Sequence, residues 1–247
     1  MSVDLNSDLG EGAGHDDELL QLVSSANIAC GLHAGNASMM RDSMLAAKSH
    51  RVAIGAHPSF DDRANFGRTE VALPPHEIFT VVLYQLGAFR ALAHSLGATV
   101  RHVKPHGALY NMAAKSEEMA DAIVRAMKAV DPHLILFAPA HSALSRAAIA
   151  SEVYVAREVF ADRNYMPDGS LVPRTQPNAL LHDPLVAANR VFSMLRENKV
   201  PAIDGSEVHV EADTICVHGD TPGAVAFARE LRLALHQMGI VVAAAGT

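Results

Sequence analysis

Fourteen histidines stand beside only 20 lysines and arginines in this chain of 247 residues. Imidazole changes charge near neutral pH and is the commonest metal ligand, so their placement matters more than their number. Five of them, His33, His57, His106, His141 and His218, follow directly on short apolar runs of β type. Carboxylates share those positions. Asp4, Asn6 and Asp8 alternate along the first run, Glu11 follows them, and Glu158, Asp162 and Asp220 follow later runs. Lys104, Arg68 and Arg163 supply cations. With no conventional nucleophile among these groups, the set suits general acid–base hydrolysis, with or without a metal ion. Asp8, His33 and His57 form the natural facial set for a metal, and a metal-free hydrogen-bonded network is the alternative.

Standard motifs narrow the chemistry by failing. Asp4-x-Asn6-x-Asp8 begins like a calcium loop, but Leu9 stands where that loop needs glycine. Gly10, Gly12 and Gly14 lack the spacing of a dinucleotide fingerprint. No Walker-type phosphate loop, nucleophile elbow or H-E-x-x-H helix is present. The cysteines, Cys30 and Cys216, are too few and too distant for structural zinc, and each ends an apolar run as a small buried hydrophobe does.

The elements that must position these residues alternate. Strand-like runs fall at 3–6, 26–30, 52–55, 100–104, 134–137, 153–156 and 214–217. Helical periodicity lies between them. Over 76–97 the stripe is Ile78, Val81, Val82, Gln85, Leu86, Phe89, Leu92, Ala93 and Leu96, ending at Gly97. Ser116 caps a helix over 116–130, and Thr221-Pro222 opens one over 222–238. Repeated strand-then-helix units without a linker predict one α/β domain, 1–247, around a parallel sheet. Strands apolar on both faces, such as 52–54 and 215–217, fit a sheet covered by helices. A closed barrel is preferred to an open sheet because polar groups recur after nearly every strand. The irregular stretch 160–178 reads as a functional loop.

A net charge of −7 and a pI of about 6.0 argue against nucleic acid. No apolar run is long enough to span a membrane, and the acidic start does not resemble a secretion signal. With two cysteines only, the chain is expected in the cytoplasm, and self-association is left open.

Seven blocks in order resemble the LamB/YcsF family: 4–12 (DLNSDLGEG), 25–35 (SANIACGLHAG), 55–58 (GAHP), 66–68 (FGR), 103–111 (VKPHGALYN), 158–165 (EVFADRNY) and 216–220 (CVHGD). Ser7, Asn36 and Thr69 depart from the family's usual Cys, Asp and Arg. The resemblance implies a seven-stranded (β/α) barrel of the glycoside hydrolase/deacetylase type. It also implies the role of the A component in ATP-dependent 5-oxoprolinase, which converts 5-oxo-L-proline to L-glutamate with Mg²⁺-ATP beside partner subunits B and C. Under it, Asp8 or Glu158 is the base that activates water. His106 or His57 is the acid that protonates the leaving ring nitrogen. Lys104, Arg68 and Arg163 hold a carboxylate or phosphate. Asn6, Glu11, Asn111, Asp162, His218 and Asp220 complete the substrate- and ATP-binding set. Two other readings are a stand-alone metal-dependent amidase or deacetylase and a non-catalytic subunit that uses the rim for recognition.

Overall fold

The computed structural model describes residues 1–219 and 223–246. In chain order the elements are β1 (Ser2–Leu9), α1 (Asp16–Leu20), β2 (Ser25–Ala29), α2 (Ala37–His50), β3 (Ala53–His57) and α3 (Pro75–Ser95). Then come β4 (Val100–Val103), α4 (Gly107–Ala113), α5 (Glu117–Val130), β5 (Ile135–Ala138), α6 (Ala143–Ala150) and β6 (Val155–Phe160). The chain continues through α7 (Pro184–Glu197), β7 (Lys199–Pro201), β8 (Glu207–His209), β9 (Thr214–Val217), α8 (Ala224–Gln237) and β10 (Val241–Val242).

Strands β1 to β6 pair in parallel with their sequence neighbours, β9 pairs with β6, and β9 also pairs with β1. That last pairing, with Asn6 opposite Cys216, closes a seven-stranded barrel and settles the choice against an open sheet. All seven expected strands belong to it. Among the described residues, three short strands lie outside it: β7 and β8 form an antiparallel hairpin, and β10 extends the lower edge of β1.

Alternation along each strand decides what fills the barrel. Leu5, Ile28, Ile54, Val103, Leu136, Val159 and Ile215 belong to the main apolar core, which the strands share with the surrounding helices. The opposite face does not match the expectation of strands apolar on both sides. Its residues are Asp4, Asn6, Asp8, Ser25, Asn27, His57, His102, Glu158 and Thr214, all buried, so the bore is polar. They stay buried because they satisfy one another. Asp4 accepts from Ser24, Ser25 and Thr214, and Asn6 donates to Thr214 and Glu158. Gly55 leaves the space that the His102 ring occupies. That ring stacks on Phe137 at 4.1 Å and bonds Asn27 Oδ1 at 2.8 Å.

The helices follow their stripes. Ile78, Val82, Gln85, Leu86, Phe89 and Ala93 of α3 are buried, and each large apolar side chain so covered contributes roughly 1.5–3 kcal/mol. Gln85 is on that stripe for a second reason: its amide accepts from Ser59 N and donates to Ser59 O, anchoring the loop after β3. Ser116 caps α5 as expected, accepting from Met119 N. Helix α8 starts at Ala224, and the expected Thr221-Pro222 cap lies outside the described residues. The 160–178 stretch is an ordered loop, in which Arg163 bonds the carbonyls of Val172 and Ala179 and Phe160 N donates to Tyr165 Oη.

Candidate active site

Several side chains expected at the rim meet in one buried cluster over the carboxyl ends of β1, β3, β4, β6 and β9. Lys104 sits at its centre, only 3% exposed. Its ammonium lies 2.9 Å from Asp8 Oδ1 and 2.9 Å from Glu158 Oε1, with Cys216 Sγ at 3.1 Å and Asn6 Oδ1 at 3.3 Å. Burial opposes the charge on Lys104, but Asp8, Cys216 and Glu158 outweigh it and hold the ammonium well above its usual range. Burial likewise opposes ionisation of Asp8, and His57 and Lys104 outweigh it, holding the carboxyl well below its usual range. Lys104 is therefore committed to carboxylates of its own chain.

The two candidate bases differ in their occupancy. Glu158 accepts from Asn6 and Lys104 on Oε1 and from Tyr110 Oη, at 2.7 Å, on Oε2. Asp8 Oδ1 accepts from Asn27 and Lys104, while Oδ2 lies 3.4 Å from His57 Nε2. Asp8 thus keeps one oxygen turned to the histidines.

Three histidines pack against each other above Asp8. His33 and His106 stack at 3.9 Å, and His57 stands edge-on to both. Gly67 and Gly107, at φ +66° and +55°, make the packing possible: a methyl on Gly67 would strike Ser59, His33 and His106, and one on Gly107 would strike the Gly67 carbonyl. Burial, then repulsion from His57, pushes His33 down to about 3. Burial, then His57 and His33, pushes His106 well below its usual range. Nδ1 of His33 is buried without a hydrogen-bond partner. Glu11 reaches the trio, with Oε1 3.1 Å from His33 Nε2 and 3.4 Å from His106 Nδ1. One ligand atom from each of Glu11, His33, His57 and His106 lies within 4.8 Å of the others. The metal set expected from sequence shares His33 and His57 with this group, while Asp8 falls in a second group with Cys216 and His218.

His218 is held differently. Its Nδ1 lies 2.8 Å and 3.0 Å from the two oxygens of Asp162, and its ring stacks on Phe160. Burial resists ionisation of Asp162, but His218 outweighs it and the carboxyl is lowered. Facing only acceptors, Nδ1 carries a proton, which leaves Nε2 as the exchangeable nitrogen.

Other expected residues lie elsewhere. Asn111 is exposed on α4, one position past Tyr110, and it is Tyr110 that reaches Glu158. Arg163 bonds loop carbonyls. Arg68 is exposed at the mouth, its guanidinium 4.8 Å from the Phe66 ring that packs against His33 and His106. His141 is exposed and pairs with Glu211, away from the cluster. Asp220 lies outside the described residues. Sequence reasoning missed Tyr110, Asn27 and His102 as supports of the site. Inward alternation on β2 and β4 was the available signal for the last two.

The model of the LamB/YcsF family matches residues 3–247. The chain belongs to the LamB/YcsF family. A solved relative, the lactam utilization protein from Thermus thermophilus, is 46% identical, with 99% of this chain and all of that chain covered and a TM-score of 0.92. A family 4 carbohydrate esterase from Streptomyces lividans matches at 10% identity and a TM-score of 0.49, over 98% of this chain and 91% of that one. Among the described residues, no helix is long and apolar enough to cross a membrane.

Proposed function

We propose that this chain is the A component of a cytoplasmic, ATP-dependent 5-oxoprolinase and opens the lactam of 5-oxo-L-proline to L-glutamate together with subunits B and C. The observation that carries the reading is one mouth in which an ionised Asp8, fixed by Lys104, faces a His218–Asp162 pair.

A five-membered lactam is a stable amide whose carbonyl oxygen leaves poorly. Phosphorylation of that oxygen turns the carbonyl carbon into an imidate-type electrophile, which gives ATP its role: one water adds there and the C–N bond breaks, and a second water then displaces phosphate from the resulting acyl phosphate to leave glutamate. In the ring-opening step water must lose a proton and the ring nitrogen must gain one. Asp8 takes the first, because Oδ2 has room that Glu158 lacks. His218 gives the second through Nε2, with Asp162 orienting the ring and stabilising its cationic form. His57 and His106 are less suited as the acid, because each points one nitrogen at the other. Arg68 holds the substrate carboxylate at the mouth.

A triphosphate does not fit the buried cations of this chain. Lys104 is spent on two carboxylates and Arg163 on two carbonyls. The phosphoryl step, with its Mg²⁺, accordingly falls to a partner protein.

The test is glutamate release from 5-oxoproline by the chain with subunits B and C, omitting each protein and ATP in turn. Release that requires every component is expected. No glutamate from any mixture overturns the reading, and equal release without ATP replaces it with a stand-alone amidase.

A further inference from the structure

We infer that the mouth of this barrel binds one divalent transition-metal ion, of the zinc or ferrous class, through His33 Nε2, His57 Nε2, His106 Nδ1 and the Glu11 carboxylate. The inference deepens the lactam reading of the same site, and its test does not pass through activity.

Two backbone carbonyls fix where the ring protons must be. His57 Nδ1 lies 2.7 Å from the Lys104 carbonyl, and His106 Nε2 lies 2.9 Å from the Phe66 carbonyl. A carbonyl only accepts, so each of those nitrogens carries a proton. In the neutral rings, His57 Nε2 and His106 Nδ1 are then bare lone pairs, and they face each other at 2.8 Å. Two lone pairs at that separation repel unless a cation lies between or beside them. The cation is either a shared proton or a metal.

Two further observations favour the metal. A shared proton needs two nitrogens, but here four donors converge. The separations from Glu11 Oε1 to the trio are 3.1 Å (His33 Nε2), 3.4 Å (His106 Nδ1) and 3.9 Å (His57 Nε2). Tetrahedral ligands about 2.0–2.1 Å from zinc stand roughly 3.3 Å from one another, which these values bracket. The outer contacts match for two of the three rings, since metal-bound histidines usually donate the second N–H to a carbonyl or carboxylate, as His57 and His106 do, while His33 Nδ1 has no such partner.

The donor set selects the class of ion. Three imidazoles and one carboxylate suit zinc, iron and their neighbours, whereas magnesium demands oxygen ligands in an octahedron. Glu11 and the adjacent Asp8 balance the charge of a divalent cation. An ion there would act as a Lewis acid beside the Asp8 carboxylate.

The test uses the untagged full chain, stripped with a chelator and dialysed separately against zinc, ferrous iron, cobalt or magnesium, with bound metal measured by mass spectrometry. One zinc, iron or cobalt ion per chain is expected, with no retained magnesium. H57Q and H106Q should each weaken retention about a hundredfold or more. H209A, which alters the exposed His141–His209–Glu211 group, should leave it unchanged. Should the glutamine variants fail to fold, the cobalt form of the unaltered chain still decides, through the intense visible bands of a four-coordinate nitrogen and oxygen site. Substoichiometric metal, retention unaffected by H57Q and H106Q, or a cobalt spectrum of the weak six-coordinate type would overturn the inference. So would a proton resonance shared between His57 and His106 in protein that has been offered metal.

Discussion

Gly55 offers a sharp test of how the polar bore is built. A methyl added there would fall inside the His102 imidazole, so G55A must displace that ring. Its stacking on Phe137 and its bond to Asn27 go with it. Forcing a methyl into a packed interior costs about 1–3 kcal/mol, and a buried group left without its partner costs about 1–3 kcal/mol more. G55A should therefore lose roughly 2–6 kcal/mol. H102A removes the obstacle but leaves a cavity and an unpartnered Asn27, and should cost about 3 kcal/mol. The double variant gives the new methyl its space, so it should cost no more than H102A alone, a coupling of about 2 kcal/mol or more. Urea unfolding followed by far-ultraviolet circular dichroism is the suitable assay, because the chain contains no tryptophan. Costs that add to within about 0.5 kcal/mol would refute the steric account.

Three other outcomes are expected. His102 is pushed down to about 3 by burial, then by Lys104, from 6.5 in the unfolded chain. A lowered base stabilises the fold above pH 6.5 and loses that contribution as pH falls towards 3, up to about 5 kcal/mol in all. Stability measured from pH 7 to pH 4 should fall more steeply than in H102Q, and equal slopes would contradict this. Lys104→Met leaves Asp8 and Glu158 buried without their cation and should destabilise the protein by about 3–5 kcal/mol in urea, against a change below about 1 kcal/mol if the pair were idle. Asp8→Asn should keep the fold by circular dichroism while lowering glutamate release by the assembled subunits about a hundredfold or more. Full activity in that variant would remove Asp8 as the base.

The strand positions and the gathering of histidines were legible because each is local: an apolar run, then a polar group at its end. The pattern offers His33, His57, His106, His141 and His218, and the family-like blocks hold four of them and leave aside His141, which is exposed and pairs with Glu211. Partners were not legible. Lys104 reads as a cation awaiting an anionic ligand until the barrel closes and brings Asp8 and Glu158 to it from strands far apart in sequence. Asn111 and Tyr110 are adjacent in sequence, yet helical rotation sends one to solvent and the other to Glu158. The polar bore was hidden for a related reason. Short runs such as Ile54-Gly55-Ala56 look apolar throughout, and the glycine that admits His102 carries no polarity of its own.

Closure of the barrel by β1 and β9 also sets when the site can exist. The bonds from Asn6 to Thr214, from Thr214 to Asp4 and from Ser7 to the Val217 carbonyl span 208 to 210 residues. At ribosomal rates of about 5–20 residues per second, β1 waits roughly 10–40 s for the strand that completes its pairing. Through that interval Asp4 and Asn6 lack Thr214, although Ser24, Ser25 and Asn27 are already available to them. A chain interrupted before residue 214 therefore lacks the seam that closes the barrel, so the complete site arrives late in translation and all at once.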